Sequence, residues 1–176
     1  MANGDLKVRR LEPTDDRSGF RSGNVDLDRF FLRYAGQNQF RHHIGTTYVI
    51  VDASGQIFGF ATVSASEIAP EALHPVKRKR LPKYPIPVLR LARLAVDERA
   101  KGRGIGSALL RSVLVLAQQM AEDVGCAGVL VDAKSDAIAF YEKLGFLRLE
   151  AAAGELGDRP PTCLMFLELA QMPRPK

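Results

Sequence analysis

Gly102, Gly104 and Gly106 stand at alternate positions in ERAKGRGIGSALL, residues 98–110, with Lys101 before them and Arg103 between them. Residues of these types at this spacing suit one kind of chemistry. The first turn of an α-helix carries backbone N–H groups without intrahelical partners, at the positive end of the helix dipole. Glycines at the entry let those groups converge on a bulky anion with no Cβ in the way. The two cations add to the attraction. The ligand that fits is a phosphate or pyrophosphate, and the competing reading is an ordinary tight turn. The nucleoside triphosphate loop GxxxxGK[ST] does not fit, because no lysine follows Gly106. The dinucleotide pattern GxGxxG does not fit either, because Ser107 stands three residues after Gly104.

The elements that must position these residues are legible around them. Residues 6–11 read as a first short strand. Asn24 reads as an N-cap, with Asp26 and Asp28 complementing the helix dipole, and Leu27, Phe30, Phe31, Tyr34 and Ala35 follow at helical spacing. TTYVIVD, ASGQ and IFGFATVSASEI read as strand, turn and hairpin-paired strand. The proline-rich stretch 75–87 predicts a loop or a broken helix. PVLRLARLAV is a strand delimited by Pro87 and Asp97. Ile105, Ala108, Leu109, Val113, Leu116 and Met120 share one face of a long helix that stops near Gly125. AGVLVDA is a buried-type strand, SDAIAFYEKL a short helix stopped by Gly145, and CLMFLEL a final strand. The order predicts a mixed α+β fold with strand–glycines–helix–strand at its centre.

Composition narrows the class. A chain of 176 residues with 46% hydrophobic content suits one packed domain, here expected over 1–176. No apolar run approaches the roughly 18 residues of a membrane span. MANGDLKVRRLEP has no apolar h-region, so the expectation is a cytoplasmic protein with no signal peptide and no membrane partner. Cys126 and Cys163 lack CxxC spacing and read as inert thiols. His42, His43 and His74 form no metal-ligand pattern, and no metal is expected. The net charge of +5 is unevenly spread: no acidic residue lies between Glu71 and Asp97, where Lys77, Arg78, Lys79, Arg80, Lys83, Arg90 and Arg93 all fall.

The stretch RLAVDERAKGRGIGSALL, followed after a strand by AIAFYEKLGF, resembles the GNAT superfamily of N-acetyltransferases. KGRGIG fits the coenzyme A loop of that family. The resemblance implies a central, mostly antiparallel twisted sheet, splayed between its fourth and fifth strands and flanked by helices. It implies acetyl-CoA as cosubstrate. The pantothenate arm would pair with backbone at Leu94, Ala95 and Val96, and the pyrophosphate would sit on the loop Lys101, Gly102, Arg103, Gly104, Ile105, Gly106 and Ser107. Two positions depart from the family pattern. Lys101 stands where arginine or glutamine is usual, keeping the charge but losing the planar fork. Lys134 replaces an asparagine often found before the last helix, so that residue's contact is not carried over.

Acetyl transfer to an amine needs a neutral nucleophile, oxyanion stabilisation and a proton for the departing thiolate. Backbone N–H groups near Leu94 suit the oxyanion. The family places a tyrosine at the position of Tyr141, close to the CoA sulfur. An unperturbed phenol titrates near ~10 and is protonated at pH 7. The competing reading is a core aromatic beside Phe140. Glu67 and His74 are available as bases, but neither sits in a motif. An α-amine, titrating at about 7.7–8.0, needs a base less than a lysine side chain does.

FRSGNVDLDRFFLRYAGQNQ at 20–39 and RLPKYPIPVLRLARLAVD at 80–97 also resemble the GNAT toxins of bacterial toxin–antitoxin modules, which acetylate the α-amino group of aminoacyl-tRNA. That resemblance implies an aminoacyl-tRNA acceptor, a ribbon–helix–helix antitoxin and a homodimer. Lys77, Arg78, Lys79, Arg80, Lys83, Arg90 and Arg93 are the expected tRNA contacts, since cations on a phosphate backbone gain from counterion release. A solvated loop at 77–80 and a structural Arg93 within the sheet are the alternatives at those positions. The alternative acceptors are a small amine, a polyamine or a protein N-terminus. A non-enzymatic CoA-binding or nucleic-acid-binding module would be expected to have lost the Tyr141 hydroxyl.

Overall fold

The structure is a computed structural model, and it describes residues 4–73, 81–149 and 162–171. Strands β1 (Lys7–Arg10), β2 (Thr46–Val51), β3 (Ile57–Ile68), β4 (Ile86–Val96), β5 (Gly128–Lys134), β6 (Leu147–Arg148) and β7 (Thr162–Glu168) form one sheet in the order β1-β2-β3-β4-β5-β7-β6. The sheet is mostly antiparallel, with β4 and β5 its parallel pair, and helices flank it. This is the mixed α+β architecture that the order of elements implies.

The β2–β3 hairpin forms where the sequence alternates β-branched and aromatic residues around a polar turn. Asp52 ties that turn: its carboxylate accepts from the Ser54 and Gln56 N–H groups at 2.9 and 3.0 Å, and Gly55 takes φ 86°. The register runs Ile50↔Gly59 and then Val51↔Ile57, so Phe58 is the extra residue of a β-bulge. Strand β4 starts one residue before Pro87. Proline is tolerated there because its ring is exposed and its carbonyl still pairs, accepting the Ala127 N–H at 2.8 Å.

Two compact units divide the chain. Residues 1–64 and 91–113 form the first. Its core gathers Leu11, Phe20, Phe30, Phe31, Val49, Phe60 and Ala95, with the Phe31 and Phe60 rings stacked at 4.3 Å and Phe20 edge-on to both. Phe30 and Phe31 come from helix α1 (Val25–Arg33), Phe60 from β3 and Phe20 from the segment before the helix. Asn24 caps it as its type predicts, its side-chain oxygen accepting from Asp26 and Leu27 N–H at 3.1 Å each. The helical spacing of residues 27–35 suggests one helix, but the chain breaks at Tyr34 and continues as α2 (Ala35–Phe40). The break lets Gly36 pack beneath Arg17, where an added Cβ would lie 3.0 Å from a guanidinium nitrogen. Residues 65–90 and 114–176 form the second unit, with a core of Ile68, Leu73, Ile86, Val88, Leu130 and Phe166. Strand β7 pairs antiparallel there with β5 and with β6, a two-residue strand with no sequence signal.

Helix α3 (Ile105–Asp123) follows the glycines. It ends as the sequence predicts, with Gly125 at φ 104° and its N–H bonded to the Met120 carbonyl at 2.8 Å. Helix α4 (Ile138–Lys143) also ends on a left-handed glycine, Gly145 at φ 95°. No helix among the described residues is long and apolar enough to cross a membrane.

Candidate active site

The glycine turn is built from both sides. Gly102 and Gly104 have φ 79° and 75°, a region that side chains with a Cβ rarely adopt. A Cβ at either would meet no atom within 4 Å, so these glycines serve no packing purpose. Together they set the turn and leave its outer surface bare. The Gly104 carbonyl accepts the Ala108 N–H at 3.0 Å, which starts α3 and leaves the amides of Ile105, Gly106 and Ser107 as its unpartnered first turn. Ile105 and Leu109 hold that turn down, since both are buried and abut Gly59 of β3. Lys101 and Arg103 are exposed, and the Arg103 guanidinium lies 5.4 Å from the centre of the Phe58 ring. A helix start with exposed cations, free amides and no covering side chain is fitted to a diphosphate.

Entry to the turn is fixed by Asp97, a residue that the sequence marks only as a strand end. Its side chain is 1% exposed. The carboxylate accepts from Arg99 N–H and Nε, both at 2.9 Å, from Arg99 Nη2 at 3.1 Å and from Arg21 N–H at 3.1 Å. Burial opposes its charge, but hydrogen bonds from the Arg99 side chain and from two backbone amides outweigh that and hold it below the usual carboxylate range. Its own N–H donates to the bulge residue, Phe58, at 2.8 Å. Asp97 thus seats the 3₁₀ turn 98–100 that delivers Lys101 to the loop. An Asp two residues before an Arg at a strand end is the signal that could have marked it, as an Asx-type turn. The bulge at Phe58 has no such signal.

Ala95 is buried in the core of the first unit, and Leu94 and Val96 flank it half-buried on β4. In the second unit, Tyr141 of α4 is 5% exposed, with its ring edge-on to Phe140 at 5.1 Å and to Phe146 at 5.4 Å. Among the described residues its hydroxyl has no hydrogen-bond partner. No solvent-sealed side-chain oxygen or nitrogen among the described residues lacks a partner, so the hydroxyl keeps contact with solvent. Burial raises the phenol well above its ordinary value. The arrangement is an apolar ring that presents one protonated, uncommitted donor.

The basic residues divide. Lys77, Arg78, Lys79 and Arg80 lie outside the described residues, as does His74. Lys83 and Arg90 are exposed. Arg93 is half-buried, with its guanidinium 3.7 Å from the centre of the Phe30 ring, so it is committed to packing on α1. Glu67 is exposed at the far end of β3. Among the described residues no group of His, Cys, Asp or Glu side chains is arranged to hold a metal.

Comparison with known proteins places the chain. The acetyltransferase (GNAT) domain family matches residues 43–148. A tRNA-acetylating toxin of Mycobacterium tuberculosis is 32% identical over 166 residues, 94% of this chain and 93% of that protein. The solved structure of AtaT complexed with acetyl-methionyl-tRNAfMet is 26% identical with a TM-score of 0.81, covering 94% of this chain and 96% of AtaT. AtaTR bound with AcCoA is 27% identical with a TM-score of 0.75, covering 94% of this chain and 95% of the other.

Proposed function

The chain belongs to the GNAT acetyltransferase family, and on that premise we propose that it transfers the acetyl group of acetyl-CoA to the α-amino group of aminoacyl-tRNA, as a toxin that blocks translation. The near full-length likeness to a tRNA-acetylating toxin carries this reading. The residues supply the parts of the reaction. Amides of Ile105, Gly106 and Ser107, with Lys101 and Arg103, take the pyrophosphate, and Gly102 and Gly104 keep its approach clear. Backbone of Leu94, Ala95 and Val96 takes the pantetheine arm. The neutral amine attacks the thioester carbonyl, a C–N bond forms, and the C–S bond breaks. Tyr141 gives its proton to the thiolate, and the amine's surplus proton leaves to water. An α-amine near its own pKa at neutral pH needs no protein base, which agrees with the absence of a motif around Glu67.

Lys83 and Arg90 are exposed cations with no ion-pair partner among the described residues, as phosphate contacts would require; Lys77–Arg80 extend the same acid-free stretch. A toxin of this kind acts in the cytoplasm as a homodimer under control of a ribbon–helix–helix antitoxin. The test uses purified protein, labelled acetyl-CoA and two acceptors, aminoacyl-tRNA and a small α-amine such as an amino acid ester. We expect label on aminoacyl-tRNA, and less of it after Lys83→Glu with Arg90→Glu as salt rises. Efficient labelling of the small amine alone would replace the tRNA reading with a small-amine acetyltransferase.

A further inference from the structure

We propose that the outward face of α2 is a second nucleic-acid contact, a platform on which one unstacked base and its flanking phosphates rest. The inference rests on the aminoacyl-tRNA reading above and extends it to a surface on the first unit, away from the 77–93 stretch in sequence.

Between Asp28 and Asp52 the chain has no acidic residue, while Arg29, Arg33, Arg41, His42 and His43 fall there. Most of this length is α1, α2 and the turn into β2. Helix α2 is mounted firmly by its inner face. Ala35 is 1% exposed, Gly36 is packed against Arg17, and Gln39 is tied at both ends of its amide. Gln39 Nε2 donates to the Leu11 carbonyl at 3.1 Å, and its Oε1 accepts the Thr47 N–H at 2.9 Å. What this mounting turns outward is chemically specific. Helical backbone runs from Tyr34 to Arg41, with the Asn38 N–H on the Tyr34 carbonyl at 2.9 Å and the Arg41 N–H on the Gln37 carbonyl at 3.0 Å. Positions 34, 37 and 41 therefore share one face, at spacings of three and four. They are an aromatic ring 44% exposed, an exposed side-chain amide and an exposed guanidinium.

Neither Arg33 nor Arg41 has a side-chain partner among the described residues, and the Tyr34 hydroxyl is equally uncommitted. An exposed tyrosine ring offers a flat face on which a base can stack. Arg29 of α1 pairs with Asp26 at 3.5 Å, but Arg33 and Arg41, on either side of α2 in sequence, have no ion-pair partner among the described residues, a charge balance that favours a polyanion. A ring for stacking, an amide for a base edge or phosphate and two cations for phosphates make a single-stranded nucleic-acid platform. Rigid mounting means that little ordering is needed on binding.

The test measures binding of uncharged tRNA and acetylation of aminoacyl-tRNA by the full chain at two salt concentrations. The variants are Tyr34→Ala, Tyr34→Phe and Arg33→Glu with Arg41→Glu. Acetyl-CoA affinity and transfer to an amino acid ester are measured beside them. Loss of one stacked base predicts an affinity for tRNA about 5- to 100-fold weaker in Tyr34→Ala and near wild type in Tyr34→Phe. The arginine reversal should flatten the log–log salt slope by roughly 0.7–0.9 per phosphate lost. Acetyl-CoA affinity and ester acetylation stay unchanged. If wild type acetylates aminoacyl-tRNA but Tyr34→Ala and the reversal match it in affinity and salt slope, the platform is wrong and the acceptor reading survives. A loss equal on tRNA and ester would also overturn it, as a defect of fold. If wild type never acetylates aminoacyl-tRNA, the acceptor reading itself has failed.

Discussion

Burial raises the Tyr141 phenol above its ordinary value, because a phenolate between Phe140 and Phe146 would lose most of its hydration without gaining a partner. As an acid it can therefore serve across the whole range in which an α-amine becomes neutral. Tyr141→Phe should retain acetyl-CoA affinity and lose about 10²–10⁴-fold in turnover, the usual contribution of a positioned acid. Single-turnover kinetics with calorimetry would check both halves. Turnover of the wild type should rise with pH through the acceptor's pKa near 8 and show no fall from tyrosine ionisation below pH 10. Asp97 is the opposite case, a buried carboxylate held ionised by four donors. Its folded pKa is depressed, so its contribution to stability is present above the unfolded value of about 3.9 and is lost as pH falls through the folded value. Asp97→Ala should cost about 1–3 kcal/mol at pH 7, by leaving the Arg21 amide and the turn at 98–100 unpaired. Denaturant melts from pH 7 to 3 should then show a smaller acid-induced loss in the variant than in wild type.

At the scale of elements, the proposed diphosphate site depends on how closely α3 approaches β3. A Cβ on Gly59 would lie 2.8 Å from Ile105 Cγ2 and 3.0 Å from both the Ala95 carbonyl oxygen and Leu109 Cδ1. Ile105 is β-branched and stiff, and the carbonyl belongs to the sheet, so neither moves easily. Gly59→Ala should destabilise the fold by about 1–3 kcal/mol and lift the first turn of α3, weakening acetyl-CoA binding as well. Gly104→Asp separates the two effects. It opposes φ 75° and sets a carboxylate against the phosphates, with open space around it. Acetyl-CoA affinity, followed by calorimetry, should fall at least tenfold in that variant. Affinity retained in both variants would remove the diphosphate from this turn.

For the molecule as a whole, what could be read from the sequence was local chemistry repeated at a fixed period. The hairpin, the Asn24 cap, the face of α3 and both glycine stops are short-range features, and each formed where residue types alone place it. The break at Tyr34 was illegible because the residue packed over Gly36 just beyond it, Arg17, comes from nineteen residues earlier in the chain. Asp97 was read as punctuation because the Asx-type turn it forms with Arg99 went unread, and its other partners, Arg21 and Phe58, are remote in sequence. Arg93 shows the converse: charge placed it with the tRNA contacts beside a structural alternative, and only packing reveals Phe30 beneath it. The glycine turn was legible through chemistry that a helix start carries anywhere, whereas Tyr141 was singled out through the family resemblance.

The central claim is that the acceptor is the α-amine of aminoacyl-tRNA. Mass spectrometry of nuclease-digested tRNA, from cells expressing the wild type and from cells expressing Tyr141→Phe, tests it most directly. The account predicts acetyl-aminoacyl-adenosine in the wild-type digest, 42 Da heavier than its parent by the ordinary mass of an added acetyl group, with little or none in the variant. Wild-type tRNA carrying no acetylated aminoacyl end, in cells where the protein is folded and binds acetyl-CoA, would contradict it.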